Sequence, residues 1–317
     1  MYNKEYRPTL AQLRTFVTVA ENKHFGTAAA KLGISQPSLS QGLVALEQGL
    51  GVQLIERSTR KVIVTSAGET LLPYAKSTLE AADTFLAHAR GAHGTLAGPL
   101  TIGVIPTIAP YILPDLLAMI SATYPELQPR FVEEQTQHLI ARLRNGNLDL
   151  AVLALPSEAT GMVDSPLYTE DFAIVSPPDH PIAGRTDVRV AELRDLDLLL
   201  LDDGHCLRDQ IVDLCRHAHV NPAEATNSVT RASSLTTIMQ LVMGGLGCTL
   251  IPKSALATEC HGKNLGVAHF APDVTAEREV GLVFRSSAAR SGEFREFGAL
   301  ITAAYKKALD RSIQSQN

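Results

Sequence analysis

Two domains of different class are predicted from the sequence: a mainly α winged helix-turn-helix at the N-terminus and, behind a linker helix, an α/β body large enough for two lobes with a cleft between them. Three observations predict it. Residues 1–66 carry eight Lys or Arg against four Asp or Glu, in a chain whose formal net charge is −5. Leucines then recur every seven residues at Leu72, Leu79 and Leu86. From Pro99 onward, short β-type apolar runs alternate with helical ones. The 317 residues are 45% hydrophobic and 19% charged, which sets aside disordered and fibrous classes. The opening MYNKEYRP has no apolar run of the secretory type, and no stretch approaches the ~18 apolar residues of a membrane span. A cytoplasmic protein with no membrane partner is expected. A basic head on an acidic body suits a small domain contacting double-stranded DNA, attached to something with another task.

In the head, Thr9-Leu-Ala-Gln12 after Pro8 predicts a capping box opening a helix with Leu10, Leu13, Phe16, Val17 and Ala20 on one face. A short Ala-rich helix follows from Thr27 to Leu32 and stops at Gly33. Ser35-Gln36-Pro37 then supplies a polar cap and a proline suited to a first helical turn. The third helix points Leu39, Leu43, Leu46 and Leu50 inward and leaves Ser38, Ser40, Gln41 and Gln48 outside. Two short helices around a Gly-containing turn fit a helix-turn-helix whose second helix enters the major groove. A plain helical hairpin with Ser and Gln facing water fits the same periodicity. The next segment separates the two readings. β-type runs at 52–57 and 61–65 flank the basic turn Arg57-Ser-Thr-Arg60-Lys61, a wing suited to phosphate contact.

Ser66-Ala-Gly-Glu69 predicts a second capping box, and the helix it opens runs to Arg90. Leu72, Leu79 and Leu86, with Ala75, Ala82 and Ala89 between them, form a 3-4 heptad stripe suited to dimerisation. A face buried on the same chain is the alternative. Residues 91–98, with three glycines in GAHGTLAG, read as a hinge. The boundaries expected are thus 1–66, 67–90, 91–98 and 99–317.

In the body, strands are expected at 100–105, 128–133, 148–153, 172–176, 198–201, 247–251 and 279–284. Helices are expected at 110–123, 136–144, 207–218, 234–243 and 293–309. Alternation of this kind predicts a largely parallel sheet with ligands beyond the carboxyl ends of its strands.

Four cysteines are too few for a secreted disulfide framework, and none forms a C-x-x-C pair, so no metal and no cofactor is expected. Cys206 and Cys215 are nine residues apart on one predicted helix, about 13 Å along its axis at ~1.5 Å per residue. Disulfide closure needs Cα atoms within about 7 Å, so an intact helix keeps the thiols apart. Cys206 falls at the helix N-terminus, where about half a positive charge favours a thiolate. His205 and Arg208 add a donor and a cation, and Asp202 and Asp203 oppose them if they point inward. Cys215 shares an apolar face with Ile211 and Leu214. Cys248, in the run Gly247-Cys-Thr-Leu-Ile251, reads as strand packing, and Cys260 beside His261 as a loop thiol without a third ligand.

The ordered residues of the head resemble the winged-helix domain of LysR-type transcriptional regulators. They are Leu13-Arg-Thr-Phe16, Phe25-Gly-Thr-Ala-Ala-Ala30, Ser35-Gln-Pro-Ser-Leu-Ser40, Leu46-Glu47, Leu50-Gly51, Glu56-Arg-Ser-Thr-Arg60 and Thr65-Ser-Ala-Gly68. The resemblance implies DNA contacts at Thr27, Ser35, Gln36, Pro37, Ser38, Gln41, Arg57 and Arg60. Gly42-Leu43-Val44 departs from the family where an arginine is frequent. It also implies a homodimer or homotetramer, RNA polymerase as a partner for an activator, and a two-lobed effector domain like a periplasmic binding protein.

Gly204-His-Cys-Leu-Arg-Asp-Gln210, with Cys215 following, resembles the peroxide-sensing subgroup of that family. So do Ile105-Pro-Thr-Ile-Ala-Pro-Tyr111, Glu134-Gln-Thr-Gln-His-Leu139 and Arg278-Glu-Val-Gly-Leu-Val-Phe-Arg285. That resemblance implies a regulator and not an enzyme. Cys206 would react with hydrogen peroxide, Cys215 would resolve it as a disulfide, and Thr107, Thr136, His205 and Arg278 would hold the peroxide. From residue type alone, helix caps are the favoured reading of both threonines, and a surface charge is the ordinary reading of Arg278. Two rival functions share these features: a LysR-type regulator answering a small metabolite with structural cysteines, and a thiol peroxidase fused to a DNA-binding head.

Overall fold

The computed structural model describes residues 6–57, 62–89, 96–217 and 226–315, and divides into two compact units. The first begins with α1 (Leu10–Asn22), capped as expected: the Thr9 hydroxyl accepts from the Gln12 N–H, and the Thr9 N–H donates to Gln12 Oε1 at 2.9 Å. α2 (Phe25–Leu32) starts two residues earlier than its alanines suggest, because His24 Nδ1 accepts the Thr27 N–H at 3.1 Å and so caps the helix. It ends at Gly33, whose φ of 64° is the left-handed turn that glycine adopts without strain. Ser35 caps α3 (Gln36–Leu50), accepting the Ser38 N–H at 3.2 Å. Phe16, Val19, Leu39, Leu43 and Leu46 close a small core between the three helices.

β1 (Ile55–Arg57) and β2 (Val62–Val64) pair antiparallel, with Ile55 opposite Val64 and Arg57 opposite Val62. Glu47 Oε1 accepts the N–H groups of Leu54 at 2.8 Å and Ile55 at 2.9 Å, which pins this wing to α3. α4 (Ser66–Ala89) follows, and its cap is Thr65 in place of Ser66: the Thr65 hydroxyl accepts the Gly68 N–H at 3.0 Å. A Cβ at Gly68 would meet the Leu54 carbonyl oxygen at 2.3 Å, so only glycine lets the helix start so close to the wing. The heptad stripe of α4 is divided. Ala75 and Leu79 are buried, with α4 packed on α1, while Leu86 stays exposed, as do Tyr74 and Phe85 outside the stripe.

The second unit is the α/β body. β3 (Gly98–Val104), β4 (Leu127–Glu133) and β5 (Leu150–Leu155) run parallel, connected through α5 (Ala109–Thr123) and α6 (Thr136–Arg144). Gly98, assigned to the hinge by composition, is the first residue of β3. β6 (Met162–Ser176) then spans both halves of the body. Its first part pairs antiparallel with β11 (Glu277–Arg285), and its second part carries β9 (Thr249–Pro252) and β10 (Gly266–His269). The sheet order is β10-β6-β11-β5-β3-β4, with β9 also on β6. The expectation of a largely parallel sheet is therefore corrected to a mixed one. The chain leaves the βαβ half along β6 and returns along β11, and both passes are antiparallel to their neighbours.

In the second half, β7 (Leu198–Leu201) pairs parallel with β8 (Thr226–Ala232) and is bridged to Cys248 just before β9. α7 (Cys206–His217) and α8 (Leu235–Met243) pack on β7, the short α9 (Leu256–Glu259) follows β9, and α10 (Ser291–Gln314) closes the chain. Ile174, Leu198, Leu199, Leu207, Ile211, Cys215, Ile238 and Leu250 share one core. Burial at roughly 25 cal/mol per Å² of apolar surface thus ties the inner face of α7 to the sheet beneath it.

Candidate functional site

Three strand-to-helix turns of the body meet at one pocket. The turn after β3 supplies Ile105, Pro106 and Thr107; the approach to α6 supplies Gln135 and Thr136; the turn after β7 supplies Gly204, His205 and Cys206. All three follow the carboxyl ends of strands, the position where α/β folds bind ligands. The pocket measures about 160 Å³ including its mouth. Gly204 holds φ at 90°, and a Cβ there would fall 2.8 Å from Gln135 Oε1. Gln135 also donates from Nε2 to the Asp203 carbonyl at 3.3 Å, which ties the α6 side of the pocket to the α7 side.

Cys206 is the first residue of α7 and is half-buried. Burial pushes its thiol above the ordinary range. Arg278, the Thr136 side chain and the Leu207 N–H pull it down, and Asp209 pushes it up. Desolvation thus opposes the thiolate that the helix N-terminus favours. The helping cation also differs from the expected one. Arg208 pairs with Asp203 at 2.5 Å, and it is Arg278 that acts on the thiol. The Thr136 hydroxyl is buried and, among the described residues, has no hydrogen-bond partner of standard geometry. His205 is 5% exposed, and burial lowers its pKa against the opposing pull of Asp202 and Asp209. It is neutral around pH 7.

Arg278 is no surface charge. Its side chain is 0% exposed, and it stands behind Thr107 and not in the pocket wall. Nη1 donates to Thr107 Oγ1 at 2.9 Å and Nη2 to the Thr107 carbonyl at 3.0 Å. Its other partner is Glu170, whose Oε2 accepts from Nε at 3.0 Å and Nη2 at 2.7 Å. Glu170 and Gln135 are the site residues that sequence reasoning missed. Glu170 lies in a polar run that reads as a solvent-facing loop, and its signal was the need of a buried arginine for a counter-charge.

The remaining thiols behave as their surroundings dictate. Cys215 is 1% exposed on the inner face of α7, and burial raises its pKa. Cys248 is strand packing, as expected, with its thiol pushed up to about 11. Cys260 caps α9, half-buried, with its thiol at about 12. All four cysteines are free, and no metal-binding cluster occurs among the described residues. In the head, Thr27, Ser35, Gln36, Pro37, Ser38 and Gln41 are all exposed on the helix-turn-helix. The Arg57 side chain and Arg60 lie outside the described residues.

A helix-turn-helix unit carrying a wing, followed by an α/β body with a small pocket at the carboxyl ends of its strands, fits a DNA-binding regulatory protein. Residues 10–69 match the family model of bacterial regulatory helix-turn-helix proteins of the lysR family, and residues 93–306 match the LysR substrate binding domain. The chain belongs to the LysR family. It is 50% identical over 301 residues, 95% of this chain and 96% of the relative, to the probable hydrogen peroxide-inducible genes activator of Mycobacterium leprae. Among solved structures, the H2O2-bound C206S mutant of Corynebacterium glutamicum OxyR is 63% identical, with TM-score 0.71, covering 99% of this chain and 97% of that one. The oxidized form of Corynebacterium glutamicum OxyR is also 63% identical, with TM-score 0.64, covering 100% of this chain and 97% of that one. No helix among the described residues is long and apolar enough to cross a membrane.

Proposed function

We propose that this LysR-family regulator senses hydrogen peroxide through Cys206 and reports it by a Cys206–Cys215 disulfide. The observation that carries the reading is the thiol itself, at a helix N-terminus inside a small polar pocket with Thr107, Thr136 and His205. The Cys206 thiolate attacks one peroxide oxygen, the O–O bond breaks, and the departing hydroxide takes a proton to become water. Cys206 is left as a sulfenic acid. The Cys215 thiol, losing its proton, then attacks that sulfur. The S–O bond breaks, a second water leaves, and the disulfide forms.

Because both thiols ride on α7, closing the bond unwinds part of that helix and withdraws Leu207 and Ile211 from their core, which turns one oxidation into a large rearrangement. The body thereby alters how the head engages double-stranded DNA through Thr27, Ser35, Gln36, Pro37, Ser38, Gln41, Arg57 and Arg60. We place the protein in the cytoplasm as a homodimer or homotetramer controlling antioxidant-defence genes, with RNA polymerase as partner where it activates. The exposed Tyr74, Phe85 and Leu86 of α4 supply apolar surface for the assembly.

The test compares DNA footprints of the full chain before and after stoichiometric peroxide. The untreated Cys206→Ser variant is expected to footprint as the reduced protein does, and its footprint is expected to stay fixed under peroxide. A peroxide-dependent change in that variant contradicts the role given to Cys206, whereas a wild-type footprint that ignores peroxide favours a metabolite-responding regulator. Sustained peroxide turnover with a thiol donor would indicate a peroxidase instead.

A further inference from the structure

We propose that Glu170 is a positioning residue of the peroxide site: by taking the Nε and Nη2 hydrogens of Arg278, it commits the guanidinium to Thr107 and makes the Thr107 hydroxyl a donor into the pocket. The proposal rests on the peroxide-sensing reading of that pocket and adds a residue from outside its wall.

Glu170 and Arg278 face one another across two antiparallel strands, as register partners of β6 and β11. Their side chains are 1% and 0% exposed. Glu170 is held from its other side, where Oε1 accepts the Ser254 N–H at 3.1 Å. A carboxylate anchored at both oxygens leaves the guanidinium little freedom, and a fork bound along one edge presents its remaining hydrogens in a fixed plane. Those hydrogens reach Thr107 at Oγ1 and at the carbonyl. Having accepted from Arg278, the Thr107 hydroxyl keeps its own hydrogen for a partner in the pocket that Thr107 lines with Cys206. When sulfur attacks peroxide, negative charge develops on the departing oxygen. A hydroxyl fixed in the donor sense before the reaction stabilises that charge without reorganising.

Glu170 also tempers the field on the thiol. Arg278 on β11 and Asp209 on α7 are the charged groups acting directly on Cys206, beside Thr136 of α6 and the neutral His205. Removing the carboxylate leaves the guanidinium charge unneutralised, which favours the thiolate.

The test measures loss of the Cys206 thiol in the full-length protein from about pH 7 to 11, a window that reaches the plateau of a thiol raised by burial, with two probes. Hydrogen peroxide needs its departing oxygen stabilised; iodoacetamide needs only the thiolate. In Glu170→Gln, the peroxide rate at the alkaline plateau should fall about tenfold or more, the scale of a lost oxyanion donor. The iodoacetamide plateau should stay the same and its pH midpoint move down. Thr107→Val, which leaves the buried ion pair in place, should lose the same peroxide rate with its midpoint unmoved. A parallel fall of both rates in Glu170→Gln, a midpoint that stays or rises, or an undiminished peroxide rate in Thr107→Val overturns the proposal. Failure of the wild-type Cys206 to react with peroxide at all would instead remove the functional reading beneath it.

Discussion

Cys206 opens α7 and Cys215 lies nine residues later on its buried face, so one unbroken helix separates the two thiols by about 13 Å of axial rise. Their bond requires that helix to come apart. Backbone amides of α7 are therefore predicted to lose hydrogen-exchange protection when the protein is oxidised, and to regain it with a reductant. Exchange read by mass spectrometry on peptides spanning residues 206–217 checks this, and α3 of the head serves as the internal reference that stays protected.

Gly204 is required twice at the pocket, by its φ of 90° and by the 2.8 Å approach of Gln135 to the Cβ position. Gly204→Ala is expected to cost about 1–2 kcal/mol, the scale of a left-handed non-glycine residue. It should also displace Gln135 and slow the peroxide reaction at Cys206. Thermal melting and the rate of thiol loss measure the two effects separately.

Arg278→Leu is expected to be severe, because it leaves Glu170 buried without a counter-charge. Breaking a buried pair in this way costs about 3–5 kcal/mol. Arg278 is also the first of the groups that lower the Cys206 thiol. Its removal should move the titration of that thiol upward and reduce alkylation at pH 7. A chemical-denaturation series and a pH profile of alkylation report the two consequences.

His205 gives the body an acid sensitivity with a defined sign. Burial lowers its pKa in the folded protein, while the unfolded chain titrates near the ordinary value of about 6.5. As pH falls through that value, the unfolded state takes up a proton that the folded state refuses, so stability is lost toward acid. His205→Asn should flatten the dependence of the melting temperature on pH between about 7 and 5, measured against the wild type.

The head was legible in the sequence almost residue by residue, because its caps are local. Thr9, Ser35 and Gly33 act on neighbours three or four positions away, as their spacing indicates. Where a non-standard cap intervened, at His24, the boundary moved. The body was legible wherever a strand is buried on both faces, as at Leu150–Leu155 and Leu198–Leu201. It failed where burial is one-sided. The first half of β6 contains Asp164, Pro166 and Glu170 and shifts register beside Gly281, so it resembles a loop although it pairs along β11. The pocket residues Thr107, Thr136, His205 and Cys206 are legible through the family resemblance, and the structure gathers them around one cavity. The place of Arg278 behind Thr107 was not legible, since it depends on a strand partner more than one hundred residues away, at Glu170.

The most direct measurement of the peroxide switch is peptide mapping of the reduced full-length protein after sub-stoichiometric hydrogen peroxide and rapid alkylation. The account predicts a peptide pair cross-linked through Cys206 and Cys215, with Cys248 and Cys260 alkylated, and in Cys215→Ser a sulfenic acid trapped on Cys206. Cysteines 206 and 215 recovered fully alkylated, or a cross-link through Cys248 or Cys260 in their place, would contradict it.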